Sequence, residues 1–302
     1  MPSSSQTVRA IVMMCLASLC FTLNDTITKF LILDYDTTVI ILLRSLLALP
    51  LLVILAIVTG GQRVRWSTRP GFHALRGAVN LLAAYLYIRG LEFLSVAEAT
   101  VIVFASPVMV TAGSVLFFGE TVGLRKWLAV AVSFLGVIIA LRPGAGAFQP
   151  ASLLILASAV LYALNSLTAR WIPPEDGLWT VSFLGAAFSA LFVALPAARH
   201  WVPVDPADAW LFAGAAVCSS LGIGLGALAY RSALASDLAP FGYSGLVWSI
   251  AVTWLVWGHW PDLWVVAGGL LIASSSVMHF AAARRPGPER AGGPYSRLPP
   301  RR

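Results

Sequence analysis

The sequence predicts an all-α membrane protein of ten transmembrane helices, arranged as two inverted five-helix repeats. Three observations carry this prediction: apolar runs of spanning length, connections too short for a soluble domain, and an echo between the two halves. A bilayer's hydrocarbon core is roughly 30 Å thick and takes about 20 helical residues to cross. Runs of that length fall at 9–32, 39–59, 71–91, 95–118, 124–141, 151–171, 178–196, 208–230, 238–257 and 262–283. The chain is 59% hydrophobic and only 11% charged, with a mean hydropathy of +0.84. These values lie outside the range of ordinary soluble proteins.

Helix 1 is too long for the apolar region of a signal peptide. Asn24, Asp25 and Lys29 stand where a small-residue cleavage pattern would be needed, so it reads as a retained span. Ser18, Thr22, Asp25 and Lys29 share one of its faces. Helix 2 carries Arg44, and helix 3 offers Arg76, Asn80, Ala84 and Tyr87 at helical spacing. In helix 4, Pro107 removes a backbone donor and should kink the helix, while Glu98 reads as a solvated helix-start carboxylate. Helix 5 opens on Arg125 and Lys126. Helix 6 presents Ser158, Tyr162, Asn165 and Ser166; helix 7 opens beside Trp179. Helix 8 holds Gly222, Gly224 and Gly226 with Ser219 and Ser220, a small-residue surface for close helix approach. Trp248 sits near the centre of helix 9, a turn after Tyr243, where it either packs on neighbouring helices or stacks on a planar or cationic ligand. Helix 10 ends before a Pro-, Gly- and Arg-rich tail, 284–302, expected to be a disordered cytoplasmic segment.

Orientation follows from the basic residues. With a cytoplasmic amino terminus, the cytoplasmic segments hold 15 of the 20 Lys and Arg. The outer loops keep Arg89, Arg142 and Arg199, and Lys29 and Arg44 fall inside spans. The positive-inside rule then places both termini in the cytoplasm of a multi-pass inner-membrane protein. The net charge of +7 is therefore topological and implies no nucleic-acid partner.

The loop 142–150 divides the spans five and five, giving repeats at 9–141 and 151–283. Phe21-Thr22-Leu23-Asn24-Asp25 in helix 1 is echoed by Tyr162-Ala163-Leu164-Asn165-Ser166 in helix 6. A second echo pairs Glu98 with Asp237 and Gly119 with Gly258. Because five is odd, the two copies must enter the membrane from opposite sides. That is the inverted-repeat architecture by which transporters expose one midplane site to either face.

On these residues the chain resembles the EamA-type branch of the drug/metabolite transporter superfamily. The resemblance runs through Asn24-Asp25 with Lys29, then Arg44, Arg69-Pro70 and Arg76-Gly77. It continues through Ala97-Glu98-Ala99, Pro107, Gly119-Glu120, Gly136 and Arg142-Pro143-Gly144. It covers roughly residues 8–283 and is weaker in the second half, where His259 stands in the place of Glu120 and no Pro matches Pro107. The punctuation is most similar to the branch with S-adenosylmethionine uptake carriers. Riboflavin carriers and exporters of amino-acid-like metabolites belong to the same wider family. The resemblance implies a secondary transporter of a small polar or zwitterionic organic solute. Monomer and homodimer both remain open.

Asp25, Lys29, Arg44, Asn80, Tyr162, Asn165 and Trp248 are the candidate substrate-binding or pathway residues. Asp25 is the one carboxylate clearly inside a span, and intramembrane charge is expensive unless it meets a partner or a wet cavity. Arg44 is its first expected partner and Lys29, one turn away, the competitor. The pair serves either the pathway or the packing of helices 1 and 2. No catalytic constellation competes. His73, His200, His259 and His279 are scattered without triad or ligand spacing to Ser, Cys or carboxylate, and there is no phosphate-binding Gly loop. The sequence therefore implies no enzyme, no cofactor and no metal. Cys15, Cys20 and Cys218 read as buried apolar residues.

Overall fold

A computed structural model describes residues 4–59, 64–119, 124–141, 149–232, 238 and 241–283. The expected basic tail lies outside them, as do Glu120, Arg142-Pro143-Gly144 and Asp237. The described residues form helices and contain no strand: α1 (Ser4–Leu31), α2 (Thr37–Val58), α3 (Pro70–Leu91), α4 (Val96–Val103), α5 (Ser106–Phe118), α6 (Leu124–Leu141), α7 (Ala151–Leu167), α8 (Leu178–Arg199), α9 (Ala209–Ser232), α10 (Ser244–Trp257) and α11 (Leu263–Ala283). Among the described residues, five segments are long and apolar enough to cross a membrane: Val8–Leu31, Thr37–Val58, Ala151–Trp171, Leu178–Arg199 and Ala209–Ser232. Shorter apolar helices include Ser244–Trp257 and the stretch Leu263–Ser274. Among the other expected spans, α3 is long but carries Arg76, Asn80 and Arg89. The fourth is divided at Phe104–Ala105 into α4 and α5, with Pro107 in the first turn of α5.

The polarity of the bundle is turned outside in. Leu33, Ile57, Leu116 and Leu255 are each more than 70% exposed, while Thr22, Asn24, Thr26 and Thr28 of α1 are buried. Thr26 Oγ1 donates to Thr22 O at 2.8 Å and Thr28 Oγ1 to Asn24 O at 2.7 Å. These hydroxyls therefore return to their own helix backbone, as buried polar groups must find an acceptor. Such a surface suits lipid, which solvates apolar side chains and offers nothing to a hydroxyl.

Local signals set the helix ends. Asp36 caps α2 by accepting from Thr38 N at 2.8 Å. Ser95 and Glu98 form a reciprocal capping box that opens α4, which gives Glu98 a structural task. Gly119 and Gly258 end α5 and α10 at φ +62° and +69°, a left-handed conformation that strains any residue with a Cβ.

The two halves interlock. α1 packs chiefly on α9 and α3 on α7, while α2 lies along α8 and α6 along α11. At the α3–α8 crossing, a Cβ on Gly77 would stand 2.6 Å from Phe188 Cβ, so only glycine admits this approach. Gly136 and Gly268 play the same part where α6 meets α11.

Loops close the bundle at each end. At one end, Tyr35 OH donates to Asp208 Oδ2 at 2.8 Å and accepts from Asp205 N at 3.0 Å, joining the α1–α2 and α8–α9 connections. At the other end of α2, Ser67 Oγ donates to Asp176 Oδ2 at 2.5 Å, joining the α2–α3 and α7–α8 connections. A shift of 141 residues carries α2 onto α8, each 22 residues long. The same shift carries Tyr35 onto Asp176 and Ser67 onto Asp208.

Candidate functional site

A cavity of about 510 Å³ lies where these helices converge. The α3 face contributes His73, Arg76, Asn80, Ala84 and Tyr87 in one stripe, together with Ile88. From α1 come Phe21, Asn24 and Asp25, and from α2 Arg44, Ser45, Ala48 and Leu52. Tyr162 and Asn165 of α7 face them. The remaining wall is α8, with Val181, Ser182, Gly185, Ala186 and Ser189, and α9, with Ser219, Ser220 and Ile223. Val103 at the end of α4 completes it.

The structure thus brings together Asp25, Arg44, Asn80, Tyr162 and Asn165 from distant parts of the chain. It does not bring in Lys29 or Trp248. Lys29 Nζ donates to Leu91 O and Leu94 O, each at 2.7 Å, and so caps the carbonyl end of α3. Trp248 Nε1 donates to Cys15 O at 3.1 Å and ties α10 to α1. Both side chains spend their donors on backbone carbonyls, a packing use of a polar group inside an apolar bundle.

The expected Asp25–Arg44 ion pair does not form. Asp25 Oδ2 accepts from Tyr87 OH at 2.7 Å and Oδ1 from Asn24 Nδ2 at 3.0 Å. The ion pairs between described residues are His73–Asp176 and Arg89–Glu92, so Asp25 and Arg44 stand beyond 4.0 Å of one another. The reason is local: Tyr87, on the neighbouring helix, reaches the carboxylate first and holds it against α3.

Sequence spacing also hid the pairing of His73. Its Nε2 lies 2.9 Å from Asp176 Oδ2, and both side chains are buried. With Ser67 on the same oxygen, three residues from two loops and a helix start form one knot at the edge of the cavity. Beside it, Arg76 Nη1 donates to Asn165 O at 2.6 Å and also bonds Thr168 Oγ1, closing the end of α7. Nothing at triad or ligand spacing in the sequence points to a contact between positions 73 and 176. The α8 wall was more legible: Ser182, Gly185, Ala186 and Ser189 form a small, polar stripe at helical spacing.

Chemically, the cavity offers hydrogen-bond donors and acceptors with an aromatic pair, Tyr87 and Tyr162. Among the described residues no group of three or more His, Cys, Asp or Glu is placed to hold a metal. Asn165 Oδ1 and Ser220 Oγ are buried and accept or donate no hydrogen bond within the protein. Such groups are costly to leave unmet.

Residues 8–142 match the EamA-like transporter family. The chain is 25% identical over 221 residues to an S-adenosylmethionine uptake transporter of Rickettsia bellii, covering 73% of this chain and 76% of that one. It is 25% identical over 270 residues to a riboflavin transporter of Vibrio cholerae, covering 87% and 91%. It is 26% identical over 208 residues to a pseudopaline exporter of Pseudomonas aeruginosa, covering 67% and 72%. A crystal structure superposes with a TM-score of 0.61 at 17% identity, covering 93% of this chain and 99% of that one, a likeness of fold. These relatives are transporters, not enzymes.

Proposed function

We propose, from the EamA domain that this chain carries within the drug/metabolite transporter superfamily, that the protein moves a small polar or zwitterionic organic metabolite across the bacterial inner membrane by alternating access. Ten spans form two inverted five-helix repeats, 9–141 and 151–283, with both termini cytoplasmic. The substrate is an S-adenosylmethionine-like or amino-acid-derived solute, with riboflavin the alternative, and lipid is the surrounding partner.

One observation carries this reading. The two loop clasps, Tyr35–Asp208 and Ser67–Asp176, exchange under the 141-residue shift that carries α2 onto α8. They lie at opposite ends of α2, with the polar cavity between them. Inverted repeats build such an arrangement: one site at the shared midplane and an equivalent gate on either side. The helix pairing agrees, since exchanging the halves turns the α1–α9 contact into the α7–α3 contact and maps α2–α8 and α6–α11 onto themselves. A shift of 139 residues carries Phe104, at the break between α4 and α5, onto Tyr243, at the start of α10. The two rings touch, with centroids 5.1 Å apart.

The test is transport by the purified chain in proteoliposomes, with solutes chosen by comparing metabolite pools in deletion and parent strains. Saturable exchange of a pool-enriched or pool-depleted solute is the expected result. A folded protein that exchanges none of them refutes the reading. Reporters after Thr59 and in the tail should read cytoplasmic and one after Asp34 external. An external tail would break the ten-span count and the inverted repeat together.

A further inference from the structure

Arg44 presents a guanidinium to the cavity, half-buried and without a protein acceptor for its donors among the described residues. The other cations near the site each have an acceptor within the protein. Arg76 gives Nη1 to Asn165 O and Thr168 Oγ1, Lys29 caps α3, and His73 faces Asp176. Asp25, the carboxylate that shares the cavity, accepts from two neutral donors, Tyr87 and Asn24, and lies beyond ion-pair distance of Arg44. An arginine inside a membrane normally faces a counter-charge or a water-filled space. Here Asp25 makes no ion pair with it, and the cavity is the space it faces. A guanidinium with a free fork is matched by a carboxylate, which takes two parallel N–H bonds in one plane.

We propose that the transported solute carries a carboxylate and that Arg44 is the residue that holds it. The inference rests on the transporter reading above and narrows its substrate class.

The experiment probes cavity charge without knowing the substrate. In the full chain with Cys15, Cys20 and Cys218 replaced by Ser, Asn80→Cys is labelled with two methanethiosulfonates of similar size, one bearing a sulfonate and one a trimethylammonium. The sulfonate reagent should react severalfold faster, because a charged, poorly screened cleft concentrates the opposite charge. Arg44→Gln should remove that preference, and Arg44→Lys, which keeps the charge and guards against misfolding, should retain most of it. Faster reaction of the cationic reagent, or a preference unchanged by Arg44→Gln, overturns the assignment while leaving a wet cavity in place. If neither reagent reaches the thiol in monodisperse protein, the cavity itself is refuted, and the transporter site with it. The solute found by the metabolite comparison is a second test: a carboxylate supports the inference, and a molecule with no acidic group overturns it.

Discussion

Tyr87 and Lys29 show how single residues divide between site and scaffold. Tyr87 OH meets Asp25 at 2.7 Å inside the bundle, and Tyr87→Phe removes that donor without opening a large space. The cost should be about 1–3 kcal/mol, since the carboxylate is left with one neutral donor. A lower thermal midpoint in detergent checks it; an unchanged midpoint would mean that water already serves Asp25. Lys29→Met should lower yield and midpoint as well, because two carbonyls at the α3 end lose their donor. Any protein that survives should keep its substrate affinity, whereas a selective loss of affinity would return Lys29 to the pathway. At this scale the sequence was readable only in part. Asp25, Arg44 and Asn80 stood out because polar groups in apolar runs are conspicuous. Which of them would pair did not, since Tyr87, 62 residues from Asp25, out-competes the nearer candidates. The knot of Ser67, His73 and Asp176 was equally hidden, because loops that meet only in space leave no spacing to read.

Among the elements, α3 is the most informative. Its stripe Arg76, Asn80, Ala84 and Tyr87 follows the helical repeat, and the structure turns the whole stripe to the cavity. The opposite requirement sits at Gly77, where α3 touches α8 and Ser189 Oγ donates to Gly77 O at 3.3 Å. Gly77→Leu must push the Phe188 backbone away. Overpacking of this kind costs about 1–3 kcal/mol, read as reduced monodisperse yield and a lower midpoint, with Gly71→Ala as the control because nothing lies within 4 Å of a Cβ there. Equal behaviour of the two variants would contradict the close crossing. Hydropathy marked the helices well, yet no candidate pathway residue was named on α8, which lines the cavity, and Trp248 of α10, which was named, lies outside it. The reason is physical: periodicity shows that a helix has a polar or small face, whereas packing on neighbouring helices, as of α8 on α2 and α3, decides which way that face points. The division of the fourth span at Phe104–Ala105 lies just ahead of Pro107, whose missing donor was visible in the sequence.

At the scale of the whole molecule, the central claim is that two inverted halves rock about the cavity, with the Tyr35–Asp208 clasp closing the outside and the Ser67–Asp176 clasp the inside. The proposed repeat is faint in the sequence, because the positions it would make equivalent differ in chemistry: a tyrosine donor would answer an aspartate acceptor, and a serine donor an aspartate. What it would preserve across the halves is geometry, which identity counts miss. Losing one such hydrogen bond is worth about 1 kcal/mol, enough to move a balanced equilibrium roughly fivefold toward the side it had closed. The most direct measurement is the reaction of Asn80→Cys with a membrane-impermeant thiol reagent, applied separately to right-side-out and inside-out vesicles. Ser67→Ala should speed labelling from the cytoplasmic face and slow it from outside, and Tyr35→Phe should do the reverse. If both substitutions move labelling in the same direction, or if the introduced thiol answers from one face alone in every variant, the two clasps are not alternating gates and the account is contradicted.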